Sequence, residues 1–381
     1  MSSIYLDNAS STLIDKKVLQ VMQEKINIYG NPSSIHSHGR IAKAEIENSR
    51  NIISDILDLN NNQILFTSGG TESNNMAIYG VIESYAIKNI ITSNIEHLSV
   101  LNYTKFISQK YNIKITYIKV DLNGNIDYQL LYDTLKNNYN NKISTLVSIM
   151  HANNEIGNIY DIKSIGIMCR KYNAIYHCDT IQTIGHLKID DLFIKNTDII
   201  TCSGHKIHGP KGIGFICFNR NIQILPILLG GNQENNIRSG TENFIGIIGL
   251  AKALEISYNS IDKNINHISN IKSYMINQLT KNIINIKFNG NSNFLNKSIH
   301  TILNVVLPIK KNLGKDIIMY MDINNISVSN GSACNSGANN ISHVINHINH
   351  ENIHSSIRFS FSKFTNKYEI DKSIKVLTDL L

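Results

Sequence analysis

The sequence predicts an α/β protein built on a mostly parallel, doubly wound sheet, with a smaller α+β domain beside it. Three observations predict this class. Seven short apolar runs recur with helical stretches between most of them: QILFT (63–67), NIITS (89–93), KITYIKV (114–120), STLVSIM (144–150), AIYHCD (174–179), DIITCS (198–203) and GFICF (214–218). That alternation is the signature of βαβ units. Several runs end on polar, chemically specific residues, and open α/β sheets place ligands beyond the carboxyl ends of their strands. Past about residue 282 the pattern shifts to shorter alternating segments: NIKFNG, HTILNVV, NISVSN and SSIRFSFS. The expected division is a large α/β domain over 15–257 and a small α+β domain formed by 1–14 and 258–381.

The elements follow in order. YLDNASST reads as a short strand feeding a turn, and apolar residues fall at helical spacing from Asp15 to Ile28. The loop GNPSSIHSHGR separates that helix from one over Ile41 to Leu57. After QILFT, the turn SGG delivers the chain into a helix starting at Thr71, with Glu72 in its first turn. A glycine turn at a helix N-terminus offers hydroxyls and backbone N–H groups to an anion such as phosphate, although this is not a Walker loop. His97 follows the run 89–93; Asn153, Asn154 and Glu155 follow 144–150; Asp179 closes 174–179 and precedes Gln182. The stretch SGHKIHGPKGIG puts Lys206 just past a strand end, among small residues and hydroxyls. Alone it reads as an exposed loop lysine; desolvated, it becomes a carbonyl nucleophile. RSGTEN then supplies a cation, hydroxyls and a helix start, again suited to an anion. A helix from about Ile245 through Ile256 continues to about Asn282, and the last helix runs from Tyr368 to Leu381.

Composition narrows the function classes. The chain has 381 residues, 42% hydrophobic and 17% charged, which describes a folded protein. No run reaches the ~20 apolar residues that span a bilayer. The amino terminus shows no basic-then-apolar signal pattern, so a cytoplasmic location with no membrane partner is expected. The net charge of +7 comes from dispersed lysines, so direct nucleic-acid binding is not expected and an acidic protein partner is an equally good use for the excess. Five cysteines, an odd number with no CxxC, argue against a disulfide framework or structural zinc. Cys169, Cys178, Cys202 and Cys217 sit in apolar patterns as small hydrophobes, whereas Cys334 lies in SNGSACNSGANN among small polar residues.

A lysine able to form a Schiff base, a phosphate cup, an aspartate at a strand end and a histidine that can lie over a ring are together what pyridoxal 5'-phosphate requires. An aspartate beside the pyridine nitrogen keeps it protonated, so the ring can accept electrons. With these residues the chain resembles the cysteine desulfurases, in the class V aminotransferase group of fold-type I pyridoxal-phosphate enzymes, nearly end to end from YLDNAS to SSIRFS. The resemblance implies a seven-stranded sheet and a role for each matching residue. Lys206 would hold the cofactor covalently. Gly70, Thr71, Ser203 and His205 would bind its phosphate, joined by Thr241 from the neighbouring subunit of a homodimer. His97 would stack on the ring, Asn154 and Gln182 would contact its hydroxyl, and Asp179 its nitrogen. Arg358, with Asn154, would receive the substrate carboxylate.

Cys334 in GSAC resembles the family's catalytic cysteine on a mobile loop. The implied reaction takes sulfur from L-cysteine, leaving L-alanine and a persulfide on Cys334, with His97 as a further catalytic group. The GSAC context resembles the long-loop subgroup, which implies sulfur delivery to acceptor or scaffold proteins for iron–sulfur cluster assembly or tRNA thiolation, and Cys334 as a transient iron–sulfur ligand. The chain stops at Leu381, short of the tail many relatives use to dock a scaffold. His343, His347, His350 and His354 recur at helical steps and are read as one face of a surface helix, with no resident metal expected. A selenocysteine lyase and a non-catalytic sulfur carrier are the competing readings.

Overall fold

The computed structural model describes residues 3–188, 196–219, 221–309, 314–330, 342–349 and 355–381. Strand β1 (Ile4–Tyr5) leads into helices α1 (Lys16–Lys25) and α2 (Ser37–Leu57). The central sheet contains β2 (Ile64–Thr67), β3 (Asn89–Ser93), β4 (Lys114–Ile118), β5 (Thr145–Ser148), β6 (Ile175–Asp179), β7 (Ile199–Ser203) and β8 (Gly214–Phe218). Helices α3 (Gly70–Tyr85), α4 (Leu98–Tyr111), α5 (Tyr128–Asn140) and α6 (Ile162–Lys171) alternate with its strands. The strand order is β2-β8-β7-β6-β5-β3-β4.

All pairings are parallel except those of β8, which runs antiparallel to both neighbours, β2 and β7. The carboxyl ends of β2, β7, β6, β5 and β3 therefore share one edge of the sheet with the amino end of β8. Strands β2, β3, β5, β7 and β8 are buried throughout, as expected for β-branched runs covered on both faces. Edge strand β4 carries Lys114 outward and Thr116 and Tyr117 half-buried. The predicted run 114–120 is cut to Ile118 because Val120 leaves the sheet to bridge Ile126 across a turn. Helix α1 ends at Lys25, short of the expected Ile28, and α2 starts four residues before the expected Ile41. The cause of the second shift is local: His36 caps α2, its Nδ1 accepting from Gly39 N at 3.2 Å.

Helices α7 (Phe244–Asn259) and α8 (Ile261–Asn282) meet at a 75° bend. Ile247, Leu250 and Leu254 of α7 pack into the core beneath the central sheet. Ile268, Ile271, Met275 and Leu279 of α8 pack into a second core with Ile4, Leu6, Leu303, Phe359 and Leu377. The bend is where the chain changes cores. The second core is covered by the antiparallel strands β9 (Lys287–Phe288), β10 (Ile302–Val306) and β12 (Ser356–Ser360), in the order β12-β10-β9. Strand β11 (Ile326–Ser327) pairs in parallel with β1. Helices α9 (Gly314–Ile323), α10 (His343–Ile348) and α11 (Lys367–Leu380) complete the described elements.

One buried ion pair fixes the segment before RSGTEN against the sheet. The Arg50 guanidinium donates to both carboxylate oxygens of Glu234, at 2.7 and 2.9 Å, and to the Ile64 carbonyl. Glu234 also accepts from Phe66 N at 2.8 Å, so it serves β2 as well. Glu234, Asn235 and Asn236 all have positive φ (44°, 57° and 64°), a left-handed run that needs such an anchor. Glu234→Ala should cost about 3 kcal/mol, because the buried Arg50 guanidinium would keep only the half-exposed Glu47 and the Ile64 carbonyl as partners. Urea unfolding measures this, and a loss below about 1 kcal/mol would contradict the anchoring role.

Candidate active site

The shared edge of the sheet opens into a pocket lined by Ala9, Ser10, Gly70, Thr71, His97, Met150, Ala152, Asn154, Asp179, Ile181, Gln182, Ser203, His205, Lys206 and Arg358. It encloses about 700 Å3 including its open mouth, within the range of small-molecule sites. An outer chamber adjoins it, lined by Ser68, Gly69, Glu72, Lys211 and Gly212 together with Gly70, Thr71, Ser203 and His205.

Lys206 ends a 3-10 turn, Gly204–Lys206, immediately after β7. Its ammonium donates to the carbonyls of Ala9 at 2.6 Å and Ser10 at 2.8 Å. The same amino-terminal segment grips the turn's backbone, since Thr12 N and Thr12 Oγ1 both donate to the His205 carbonyl. Asp179, the last residue of β6, accepts from Asn74 Nδ2 at 2.7 Å and from Ile181 N at 3.0 Å. Gln182 donates to the Ala9 carbonyl at 3.2 Å.

Arg358 lies on β12 and is 1% exposed. Its guanidinium donates to Asp7 Oδ1 at 2.8 Å, Ser10 Oγ at 2.6 Å and the Asn154 carbonyl at 2.9 Å. A cation is thus held in the pocket wall by one carboxylate and two neutral acceptors, with a fork geometry suited to a substrate carboxylate.

The phosphate-like end is built by backbone. Helix α3 begins at Gly70 behind Gly69, whose φ of 151° and ψ of −177° suit only glycine. A Cβ at Gly70 would lie 2.2 Å from Ile181 Cδ1, so any larger residue there would have to displace the Ile181 side chain. First-turn N–H groups with no intrahelical partner point out of this end. Burial, then the nearby Lys206 and Lys211, push the His205 pKa down to about 4, so the ring is neutral.

His97 caps α4, its Nδ1 accepting from Ser99 N. Burial lowers its pKa against the pull of Asp179, aided by Lys206 and His343. Glu96 beside it is fully buried, bonded to Ser93 Oγ at 2.7 Å and accepting from Met150 N at 3.0 Å. Burial raises the Glu96 pKa to about 8, with Asp179 adding to the rise.

Pyridoxal phosphate fits this lining. Ser203 Oγ, His205 Nδ1, Asn154 Oδ1 and Arg358 Nε are buried with no partner among the described residues. An unmade buried hydrogen bond costs about 1–3 kcal/mol, and all four belong to residues lining this one cavity. Ser203 and His205 adjoin the glycine turn, where a phosphate would be held, whereas Asp179 and His97 lie deeper, where a ring nitrogen and a ring face would be met. The predicted residues Gly70, Thr71, His97, Asn154, Asp179, Gln182, Ser203, His205, Lys206 and Arg358 therefore share one pocket. Thr241 does not line it; it is exposed beside Arg238 and Glu242. Cys334 lies outside the described residues, as do His350 and His354. His343 Nε2 bonds to the Glu96 carbonyl at 2.8 Å and His347 Nδ1 to the His343 carbonyl at 2.7 Å, so both rings turn to backbone.

Sequence reasoning assigned no role to Asn74, Asp7 and Glu96. Asn74 is one of many asparagines, and nothing in the pattern separates it from surface ones. Asp7 lies in YLDNAS, between apolar and small residues, and that position was the available signal. Lys211 reads from sequence as a plain loop lysine, yet it lines the outer chamber. Cys169, Cys178, Cys202 and Cys217 are buried and unpaired, and burial raises every one of these thiols, as suits small hydrophobes.

Comparisons with known proteins agree with this geometry. The class-V aminotransferase family model matches residues 4–372. A cysteine desulfurase IscS from Dictyoglomus turgidum is 38% identical, covering 99% of this chain and 94% of the relative. A NifS-like protein from Rickettsia africae has a similar structure, with a TM-score of 0.86 and 32% identity, covering 100% of this chain and 99% of the other. A structure described as SspA in complex with cysteine matches with a TM-score of 0.79 and 29% identity over 96% of this chain and 100% of that one. The chain belongs to the class-V aminotransferase family.

Glu96→Gln tests the electrostatics of the pocket floor. Because the folded pKa of Glu96, about 8, lies above its unfolded value of 4.5, the unfolded chain releases this proton first. The stability of the native protein should therefore fall as pH rises from about 4.5 to about 8. The glutamine variant lacks this loss. Its melting temperature should exceed that of the native protein by a margin that grows across that window, and a margin independent of pH would refute the assignment.

Proposed function

We propose, from this family membership and the pocket, that the chain is a pyridoxal-phosphate-dependent cysteine desulfurase. The observation that carries the reading is the convergence on one cavity of Lys206, Asp179, His97, the Ser203–His205 cup and Arg358. Bound pyridoxal phosphate supplies an aldehyde that bonds amines and a ring that accepts the electron pair released at a substrate's α-carbon. Around it, Lys206 Nζ would hold the cofactor's aldehyde carbon and is placed to take a proton from the substrate's α-carbon. Asp179 would pair with the ring nitrogen, and Ser203, His205 and the first turn of α3 would hold the phosphate. Arg358 receives the substrate carboxylate, already steadied by Asp7 and Ser10. His97, held neutral by burial, can move a proton at the reacting end.

L-Cysteine is the substrate we infer, since a similar structure is described as holding cysteine. The Cys334 thiolate attacks the substrate sulfur. The Cβ–S bond breaks, an S–S bond forms, and the carbon skeleton leaves as L-alanine after protonation. Sulfur is oxidised from the thiol to the persulfide level while Cβ is reduced to a methyl group, so no external oxidant is needed. The chain flanking Cys334 is anchored at the pocket on both sides: Ser329 pairs with Arg358, and Ser342 donates to Glu155 beside Asn154. The persulfide then passes to an acceptor or scaffold protein for iron–sulfur cluster assembly or tRNA thiolation.

A homodimer is part of the proposal. Thr241 is exposed and away from its own pocket, and Tyr29, Ile35 and Leu229 are large apolar residues exposed by 79%, 92% and 81%. These exposed apolar side chains, with Thr241, are the residues we assign to an association surface. We place the reaction in the cytoplasm, where reducing conditions keep a sulfur-accepting thiol available.

Lys206→Ala should still bind pyridoxal phosphate weakly, yet borohydride should no longer fix it to the chain. Cys334→Ser should retain the native spectrum and bind L-cysteine while alanine release falls more than ~100-fold, as expected on loss of a nucleophile. Full alanine release by the Cys334→Ser protein would exclude the persulfide route, and a wild-type chain that takes up no pyridoxal phosphate would exclude the enzyme.

A further inference from the structure

Asn74 is fully buried on α3, and every polar atom of its side chain has a partner. Thr201 Oγ1 donates to Asn74 Oδ1 at 2.8 Å, which fixes the orientation of the amide. One Nδ2 proton goes to Asp179 Oδ2 at 2.7 Å and the other to Ser99 Oγ at 2.9 Å. With its oxygen accepting from Asn74, Ser99 Oγ turns its own hydrogen to His97 Nδ1, 2.8 Å away. Ser99 N also points at that nitrogen, at 3.1 Å. A backbone N–H can only donate, so His97 Nδ1 is an acceptor and the neutral ring carries its proton on Nε2. The two pocket groups that meet the ring nitrogen and the ring face are therefore bonded to opposite ends of one relay.

We propose that Asn74 is a positioning residue, whose single amide holds the Asp179 carboxylate and the His97 imidazole in a common register for the bound cofactor. This rests on the cofactor reading above. Only an amide serves here. A carboxylate at the same place would face Asp179 with oxygen against oxygen, and an alkyl group would leave Asp179, Ser99 and Thr201 without partners. The titratable groups around Asp179 are Glu96, His97, His177, Cys178 and Cys202, with Lys206 facing His97. All are common to the native protein and its variants, so a difference between variants isolates position 74.

The test is the affinity of the full chain for pyridoxal 5'-phosphate at pH 8.5 and pH 6, read by equilibrium dialysis and visible absorbance. Asn74→Leu should bind at least ~10-fold more weakly than wild type at both pH values, the loss expected for a hydrogen bond to a charged group. Asn74→Asp should be at least ~10-fold weaker at pH 8.5 and recover to within ~3-fold at pH 6, because two facing carboxylates then share a proton and one can again donate. A role in packing alone predicts no such rescue. Leucine and aspartate variants that match wild type at both pH values, or an aspartate deficit that does not change with pH, would overturn the proposal. Should the position-74 variants fail to fold, as judged by circular dichroism, Thr201→Val removes only the hydroxyl that orients the amide. It should weaken binding by ~3-fold or more, and unchanged affinity would equally overturn the proposal. A wild-type chain that takes up no pyridoxal phosphate would sink the functional reading as well, whereas normal wild-type binding with indifferent variants would sink only the role of Asn74.

Discussion

The pocket depends on a short strap, Asp7 to Thr12, that is bonded to both halves of the molecule. On the large-sheet side, Ala9 and Ser10 carbonyls hold the Lys206 ammonium, and Thr12 grips the turn that carries it. On the other side, Asp7 and Ser10 Oγ hold Arg358, while Ala9 N donates to Ser360 Oγ and Asn8 Nδ2 to the Ser360 carbonyl. Within the strap, Ser10 touches both cations, one through its carbonyl and one through its hydroxyl. The separation of Lys206 from Arg358 is therefore set largely by a single residue. A distance defined by short, charge-assisted bonds within one residue varies less than one defined by two domains packed through apolar side chains.

Burial does the complementary work on charge. It pushes the pKa values of His177 and His205 down to about 4 and that of Glu96 up to about 8, and it lowers His97 as well. Four titratable groups at or beneath the pocket are thus driven toward neutral forms, which leaves the pocket's polarity to the carboxylate of Asp179 and to Lys206 and Arg358. Neutral histidines can both donate and accept, as a phosphate cup and a proton-moving group require. The same low-polarity surroundings make each unpaired polar atom costly, so the orphaned Ser203, His205 and Asn154 atoms are best understood as places where a ligand completes the network.

Much of this was legible from the sequence, because open α/β sheets put chemistry at strand ends and the strand ends were visible. Asp179, Lys206 and the SGG turn were found for that reason. The residues that sequence missed act through partners distant along the chain. Asp7 meets Arg358, Asn74 meets Asp179 and Thr201, and Glu234 meets Arg50, and no local periodicity encodes such pairs. Helix starts capped by His36 and His97 were likewise hidden, because a histidine Nδ1 is not among the usual capping groups. Thr241 is the opposite case: its place in RSGTEN suggested an anion site, and the fold of one chain leaves it outside its own pocket.

The strap also dictates when the site can exist. Asp7 is made 351 residues before its partner Arg358. At ordinary elongation rates of roughly 5–20 residues per second, tens of seconds or so separate the two. During that interval the central sheet, whose strands all lie before residue 219, can form with Lys206 in place but without Arg358 beside it. A chain ending before β12 would thus present Lys206 without Arg358 beside it. The Asp7–Arg358 clamp closes only once translation has passed β12, so the pairing of these two walls of the pocket follows the formation of the central sheet.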